Sequence, residues 1–309
     1  MRPSTPTDSA RPQTSTGPIR ASGSNLVSRR RGLRRLLVLG LVLALLAGGV
    51  YTAVAFIQRS ETLIAEKCTA DVGSWGADLA TDQAANAALI TAVAVRRGLP
   101  PRAASIALAT AMQESKLRNI GHGDQAGPDS RGLFQQRPSQ GWGSEEQVMD
   151  PYYASGAFYD ALVKIPEYES LEITTAAQQV QRSAYPQAYA QHEDMGRAFA
   201  SALTGQSSGA LDCTLKSPEG PGDVQAVLGE LTAAFGNIPA STDGTTIVLE
   251  TSGTEAWAVA QWAVANAKSL SVTEVGVEGR NWDRAARNGW QPSESQSGLV
   301  TITVAAGTS

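Results

Sequence analysis

Pro101-Arg102-Ala103-Ala104-Ser105-Ile106-Ala107-Leu108-Ala109-Thr110-Ala111-Met112-Gln113-Glu114-Ser115 is apolar on nearly every side until its last turn. Pro100 and Pro101 suit the first turn of a helix running to about Leu117, and a helix apolar all round is normally buried in a domain core. Glu114 continues the stripe Ala103, Ile106, Ala107, Thr110 and Ala111 at helical spacing. A carboxyl group is thus delivered to protein surroundings rather than to open water. Desolvation raises a carboxylic acid's pKa, and a proton held near neutral pH is what a general acid needs. On periodicity alone, a helix-end Glu turned to solvent or paired with Lys116 or Arg118 is the plainer alternative.

Working outward, Thr81 is a fair N-cap for a helix through Arg97, with Gly98 as its stop. A Gly-, Ser-, Gln- and Pro-rich loop fills 119–144, and further helices are predicted near 151–164, 174–183 and 187–203. Residues 81–205 therefore read as a helical domain, preceded by a stalk over 58–80 and followed by a linker over 206–222. A second unit, 223–309, alternates helix and β-branched strand (Thr245-Thr246-Ile247-Val248, Val300-Thr301-Ile302-Thr303), which fits a small α+β domain. Cys68 and Cys213 bracket the helical domain. In an oxidising compartment they are expected to form a disulfide, the alternative being two unpaired buried thiols.

The amino-terminal part reads as an address. Residues 1–28 have no apolar period and are expected to be disordered, within a basic cytoplasmic tail over 1–35. Arg29-Arg30-Arg31, Arg34 and Arg35 precede an uncharged run from Leu36 to Ile57. At 1.5 Å per residue that run reaches about 33 Å, enough for a ~30 Å hydrocarbon core. The Arg cluster predicts a single-pass membrane anchor with a cytoplasmic amino terminus and extracytoplasmic domains. Cleavage after Ala53-Val54-Ala55 and a twin-arginine-like signal at Ser28–Leu33 are the rivals, and both also export the body. Gly40, Ala44 and Gly48 are spaced as a helix-pairing face, or are small residues scattered along an ordinary span.

Composition narrows the function. The 309 residues are 42% hydrophobic and only 17% charged, against a usual ~25% charged. The net charge is −4, but residues 1–35 hold eight Arg and one Asp, leaving −11 for the rest. So acidic a body is poorly suited to nucleic acid. Two His and two Cys are too few for several metal centres, and neither a metal nor a cofactor is expected.

Gln113-Glu114-Ser115, followed by Asp129-Ser130-Arg131-Gly132-Leu133-Phe134-Gln135-Gln136, resembles the lysozyme-like superfamily of lytic transglycosylases and goose-type lysozymes. Asn86-Ala87-Ala88, Ala107–Ala111, Gly132–Gly143 and Val180-Gln181-Arg182-Ser183-Ala184 look closer still to membrane-anchored, lysozyme-like envelope proteins of actinobacteria. The likeness covers about residues 68–205. It implies a mainly α lysozyme-like domain, which joins the one transmembrane helix and the small C-terminal α+β domain read above to complete the expected fold class. It also implies cleavage of peptidoglycan glycan strands between N-acetylmuramic acid and N-acetylglucosamine, with Glu114 as the single acid and base. Phe134 stands where Met is usual, the Glu114–Gly132 gap is somewhat long, and the family's Ala-Tyr-Asn segment appears as Ala184-Tyr185-Pro186.

On this reading Ser115, Gly132, Leu133, Phe134, Gln135, Gln136, Trp142 and Tyr185 are candidate substrate-binding residues. Gln135 and Gln136 present amides to sugar hydroxyls, Phe134 a wall, and Trp142 and Tyr185 faces for pyranose stacking. Arg137 suits either a peptide carboxylate or bracing of the loop. A hydrolytic muramidase needs a second carboxylate, for which Asp124, Asp129 and Glu145 stand open. A non-catalytic peptidoglycan-binding scaffold is the alternative from a different class. His122 reads as a solvated loop residue and His192 as part of a solvated helix face. Trp257 and Trp262 read as core. Trp282 and Trp290, with Arg280, Arg284 and Arg287, suit either a packed hairpin or a surface for a wall polymer or envelope partner.

Overall fold

The computed structural model describes residue 35 and residues 37–52, 61–125, 127–182 and 187–307. They fall into two units, Met1–Ser60 and Glu61–Ser309. In the first, residues 37–52 are helical. No helix among the described residues is long and apolar enough to cross a membrane. This corrects the expected span over Leu36–Ile57 and the fold class built on it. Leu36, residues 53–57 and the tail 1–34 lie outside the described residues.

The second unit combines helices with two antiparallel sheets, which corrects the mainly α expectation for its first half. The stretch read as a stalk contains β1 (Lys67–Val72) and β2 (Trp75–Leu79), and the stretch read as a linker contains β3 (Leu211–Thr214). They pair in the order β2-β1-β3. Cys68 faces Cys213 directly across β1 and β3, and the two form a disulfide. Between these strands run α1 (Thr81–Arg96), α2 (Pro101–Ser115), α3 (Glu145–Met149), α4 (Pro151–Leu162), α5 (Ile173–Gln181) and α6 (Glu193–Leu203). In α2, residues 103–111 are all buried, as expected for a helix without a polar face. It packs against α1, α5 and α6.

The remaining elements are α7 (Val224–Phe235), β4 (Ala240–Asp243), β5 (Thr246–Glu250), α8 (Gly253–Ala265), β6 (Val272–Val277), β7 (Arg280–Asp283), β8 (Trp290–Pro292) and β9 (Leu299–Val304). Their sheet runs β4-β5-β9-β6-β7-β8. Strand β9 alternates in burial, so Val300, Ile302 and Val304 face the core. Helix α8 is buried from Ala256 to Ala265 because it packs on β6 and β9 and also on α1, α6 and β3.

A polar residue sits at this seam. The fully buried Gln261 on α8 accepts a hydrogen bond from Leu211 N (2.8 Å) and donates to Ala202 O (2.6 Å) and Ser207 O (3.1 Å). Its amide thus satisfies backbone groups where α6 ends and β3 begins. Gly205 makes the approach possible: its φ is +76°, and a Cβ there would lie 1.9 Å from Thr254 O. Gly205→Ala is expected to destabilise the fold by about 1–3 kcal/mol through backbone strain and overpacking. Urea unfolding checks this, and an unchanged midpoint would show that the seam is not tightly packed.

The tryptophan hairpin belongs to the same interior. Trp282 Nε1 donates to Asp212 Oδ1 and Trp290 Nε1 to Leu211 O, each at 2.8 Å. Arg284 is buried and donates to the carbonyls of Lys216 (2.6 Å), Ala267 (2.7 Å) and Val272 (3.2 Å). Trp282 and Trp290 therefore fasten β3 to the sheet, Arg284 ties down the segment that follows β3, and all three side chains are buried.

Candidate active site

Helix α2 ends immediately after Glu114, and the reason is local. Lys116 and Leu117 adopt left-handed backbone (φ 56° and 54°), and Leu117 is buried. Two side chains of α1 hold this turn: Gln83 Nε2 donates to Lys116 O (2.9 Å) and Asn86 Nδ2 to Leu117 O (2.7 Å). Leu117 N in turn closes on Ala111 O at 3.1 Å. The cost of two non-glycine residues in this region is offset by satisfying carbonyls at the helix end.

Glu114 opens onto a cleft of about 1190 Å³. Five stretches bring side chains to it: the end of α2, the loop 120–142, the end of α4, Gln179–Gln181 of α5, and Arg182. Tyr189, itself fully buried, donates its hydroxyl proton to Glu114 Oε1 at 2.6 Å. Gln181 hydrogen-bonds the same carboxyl and donates to Phe134 O at 2.8 Å. Burial pushes the Glu114 pKa above the usual carboxylate range. The bonds from Tyr189 and Gln181 pull it back in part, and the nearby charge of Asp124 adds to the rise. Removing the tyrosine hydroxyl removes a donor to the charged form, so Tyr189→Phe is expected to raise the Glu114 pKa further. NMR titration of the carboxyl carbon reads this directly, and a fall would show that Tyr189 does not stabilise the carboxylate.

The loop after α2 is shaped by Gly132, whose φ is +79° and whose added Cβ would lie 2.2 Å from Val148 O. Its amide bonds Ile120 O at 2.8 Å. Of the sequence-predicted residues, the structure brings Glu114, Gln135, Gln136 and Trp142 to the cleft. Ser115 is buried beneath it and donates to Leu133 O at 2.7 Å, so it braces the loop. Leu133 and Phe134 are fully buried, and Phe134 stacks on Phe158 at 4.6 Å between centroids. The expected wall of Phe134 is thus a core contact, and Gly132 serves through its turn. Gln136 is also pinned, donating from Nε2 to Ala154 O at 3.0 Å. Tyr185 lies outside the described residues.

The possible second carboxylates separate. Asp129 pairs with Arg137 at 2.8 Å and accepts from Ser139 N, and bonds from Ser139 and Arg137 hold its carboxyl far below the usual range. Glu145 pairs with Arg131 at 3.1 Å. Only Asp124 of the three lines the cleft, where its Oδ1 also accepts from Gly127 N at 2.9 Å. Exposed His122 lines it too. His192 is half-buried rather than solvated: Nε2 lies 3.0 Å from Gln113 Oε1, and burial, helped by Lys116, lowers its pKa. Among the described residues no group of His, Cys, Asp and Glu is arranged to hold a metal ion.

Two residues that touch the acid, Gln181 and Tyr189, escaped assignment from sequence. Gln181 stood inside Val180-Gln181-Arg182, and Tyr189 in a second Ala-Tyr pair, Ala188-Tyr189, four positions beyond the first. No protein-family model matches the chain and no curated protein matches it.

Proposed function

We propose that this cleft cleaves the glycan strands of peptidoglycan, with Glu114 as the single acid and base. The observation that carries the reading is a carboxyl group with a raised pKa, bonded by Tyr189 and Gln181, at the wall of an open cleft lined by glutamine amides. The resemblance of Gln113-Glu114-Ser115 and Gly132–Gln136 to lytic transglycosylases supports it. The protonated Glu114 gives its proton to the glycosidic oxygen as the bond from C1 of the muramic residue breaks. The 6-hydroxyl of that residue then attacks C1, and its proton passes to the Glu114 carboxylate. Acid is regenerated, no water is consumed, and the product is a 1,6-anhydro sugar.

Asp124 on the cleft supports a second version, in which it activates water and the same bond is hydrolysed. The disulfide supports action outside a reducing cytoplasm. Mass spectrometry of soluble products released from purified cell-wall glycan by the full chain tests the reading. Products one water lighter than hydrolytic muropeptides are expected. Hydrated products would move the assignment to the muramidase version, and glycan binding without any release would reduce the cleft to a binding site.

A further inference from the structure

We propose that Lys164 and Arg182 form a carboxylate-reading edge of the cleft, which selects glycan strands bearing carboxylates over a neutral polymer of the same amino sugar. The proposal rests on the glycan-cleavage reading above. Most basic side chains of this acidic body are already engaged. Arg97, Arg102, Arg118, Arg131, Arg137 and Arg197 sit in ion pairs, and Arg284 is spent on carbonyls. Arg137, the cation that sequence offered for a substrate carboxylate, braces the loop through Asp129 instead.

Lys164 and Arg182 differ from these. Both are exposed, both line the cleft, and neither has an ion pair among the described residues. Lys164 follows the end of α4. Arg182 follows Gln181, the residue that bonds Glu114, and its left-handed backbone (φ 51°) ends α5 there. The same cleft carries the acidic side chain of Asp124. An anionic strand entering it meets like charge unless cations offset that repulsion, and these two side chains are placed to do so. The carboxylate has two sources on such a strand: the lactyl group of a stripped muramic residue, or the peptide stem of an intact one.

The test compares three ligands of matched length by calorimetry at low salt. They are stem-bearing strands, the same strands stripped of peptide by an amidase, and a neutral N-acetylglucosamine oligomer. The full chain carries Glu114→Gln to prevent turnover, with and without Lys164→Gln/Arg182→Gln. Both cations are exposed, so their replacement leaves the fold intact. The parent is expected to bind carboxylate-bearing strands roughly fivefold to tenfold tighter than the neutral oligomer. The double variant should erase that difference and leave neutral-oligomer affinity unchanged. Preference retained on stripped strands identifies the lactyl carboxylate, and preference confined to stem-bearing strands identifies the peptide. Equal affinity for all three, or preference persisting in the double variant, overturns the proposal. Preference without cleavage by the chain retaining Glu114 would leave the edge standing and sink the cleavage reading, cleavage without preference would do the reverse, and no binding to any ligand would sink both.

Discussion

Glu114→Gln is expected to lower the rate of strand cleavage by about 10²–10⁴-fold, the usual contribution of a positioned general acid and base. The amide keeps an acceptor for the Tyr189 hydroxyl, so the cleft retains its shape while losing its transferable proton. The same substitution has an opposite effect on stability. In the native protein the Glu114 pKa lies above its unfolded value, so the folded state binds the extra proton between the two. Stability contributed by that proton is present below the unfolded carboxyl range and is lost as pH rises through the raised folded value. At neutral pH the variant therefore unfolds at a higher temperature than the parent, and the gain disappears as the solution is acidified. Calorimetric scans across pH check the sign, while product release at one pH checks the rate. A variant that cleaves at the parent rate would remove Glu114 from the chemistry.

Removing the disulfide with Cys68→Ala/Cys213→Ala is expected to cost about 2–5 kcal/mol of unfolding free energy. The bond closes a loop across 145 positions, and a loop that long gives the largest chain-entropy effect. Every residue identified around the acid, from Gln113 to Tyr189, lies inside it. Urea unfolding of the parent in strong reductant should coincide with that of the double variant. A loss well under about 1 kcal/mol would show that the β1–β3 pairing holds without the bond.

What could be read in advance followed the range of the signal. The burial of α2 and the placement of Glu114 near its end are written in one continuous stretch, because helical periodicity is local. The cysteine pair was legible because only two cysteines exist. Strands β1 and β3 were not, since each is short and their mutual pairing spans the intervening helical segment. The loop residues misled for a different reason. Leu133-Phe134-Gln135-Gln136 alternates neither like a strand nor like a helix, so nothing local distinguishes Phe134, stacked on Phe158, from Gln135 at the cleft. Tyr189 reaches Glu114 from 75 positions away, and only its place in a repeated Ala-Tyr pair hinted at it.

The seam at Gln261 carries a consequence for descent. One side chain on the sheet-bearing half satisfies an amide and two carbonyls of the helical half, and Gly205 leaves no room for a larger residue beneath it. Recombination that exchanged one half for a foreign counterpart would strand these buried groups without partners. A lineage carrying this cleft is therefore expected to inherit both halves together, and their sequences to drift in step along α8.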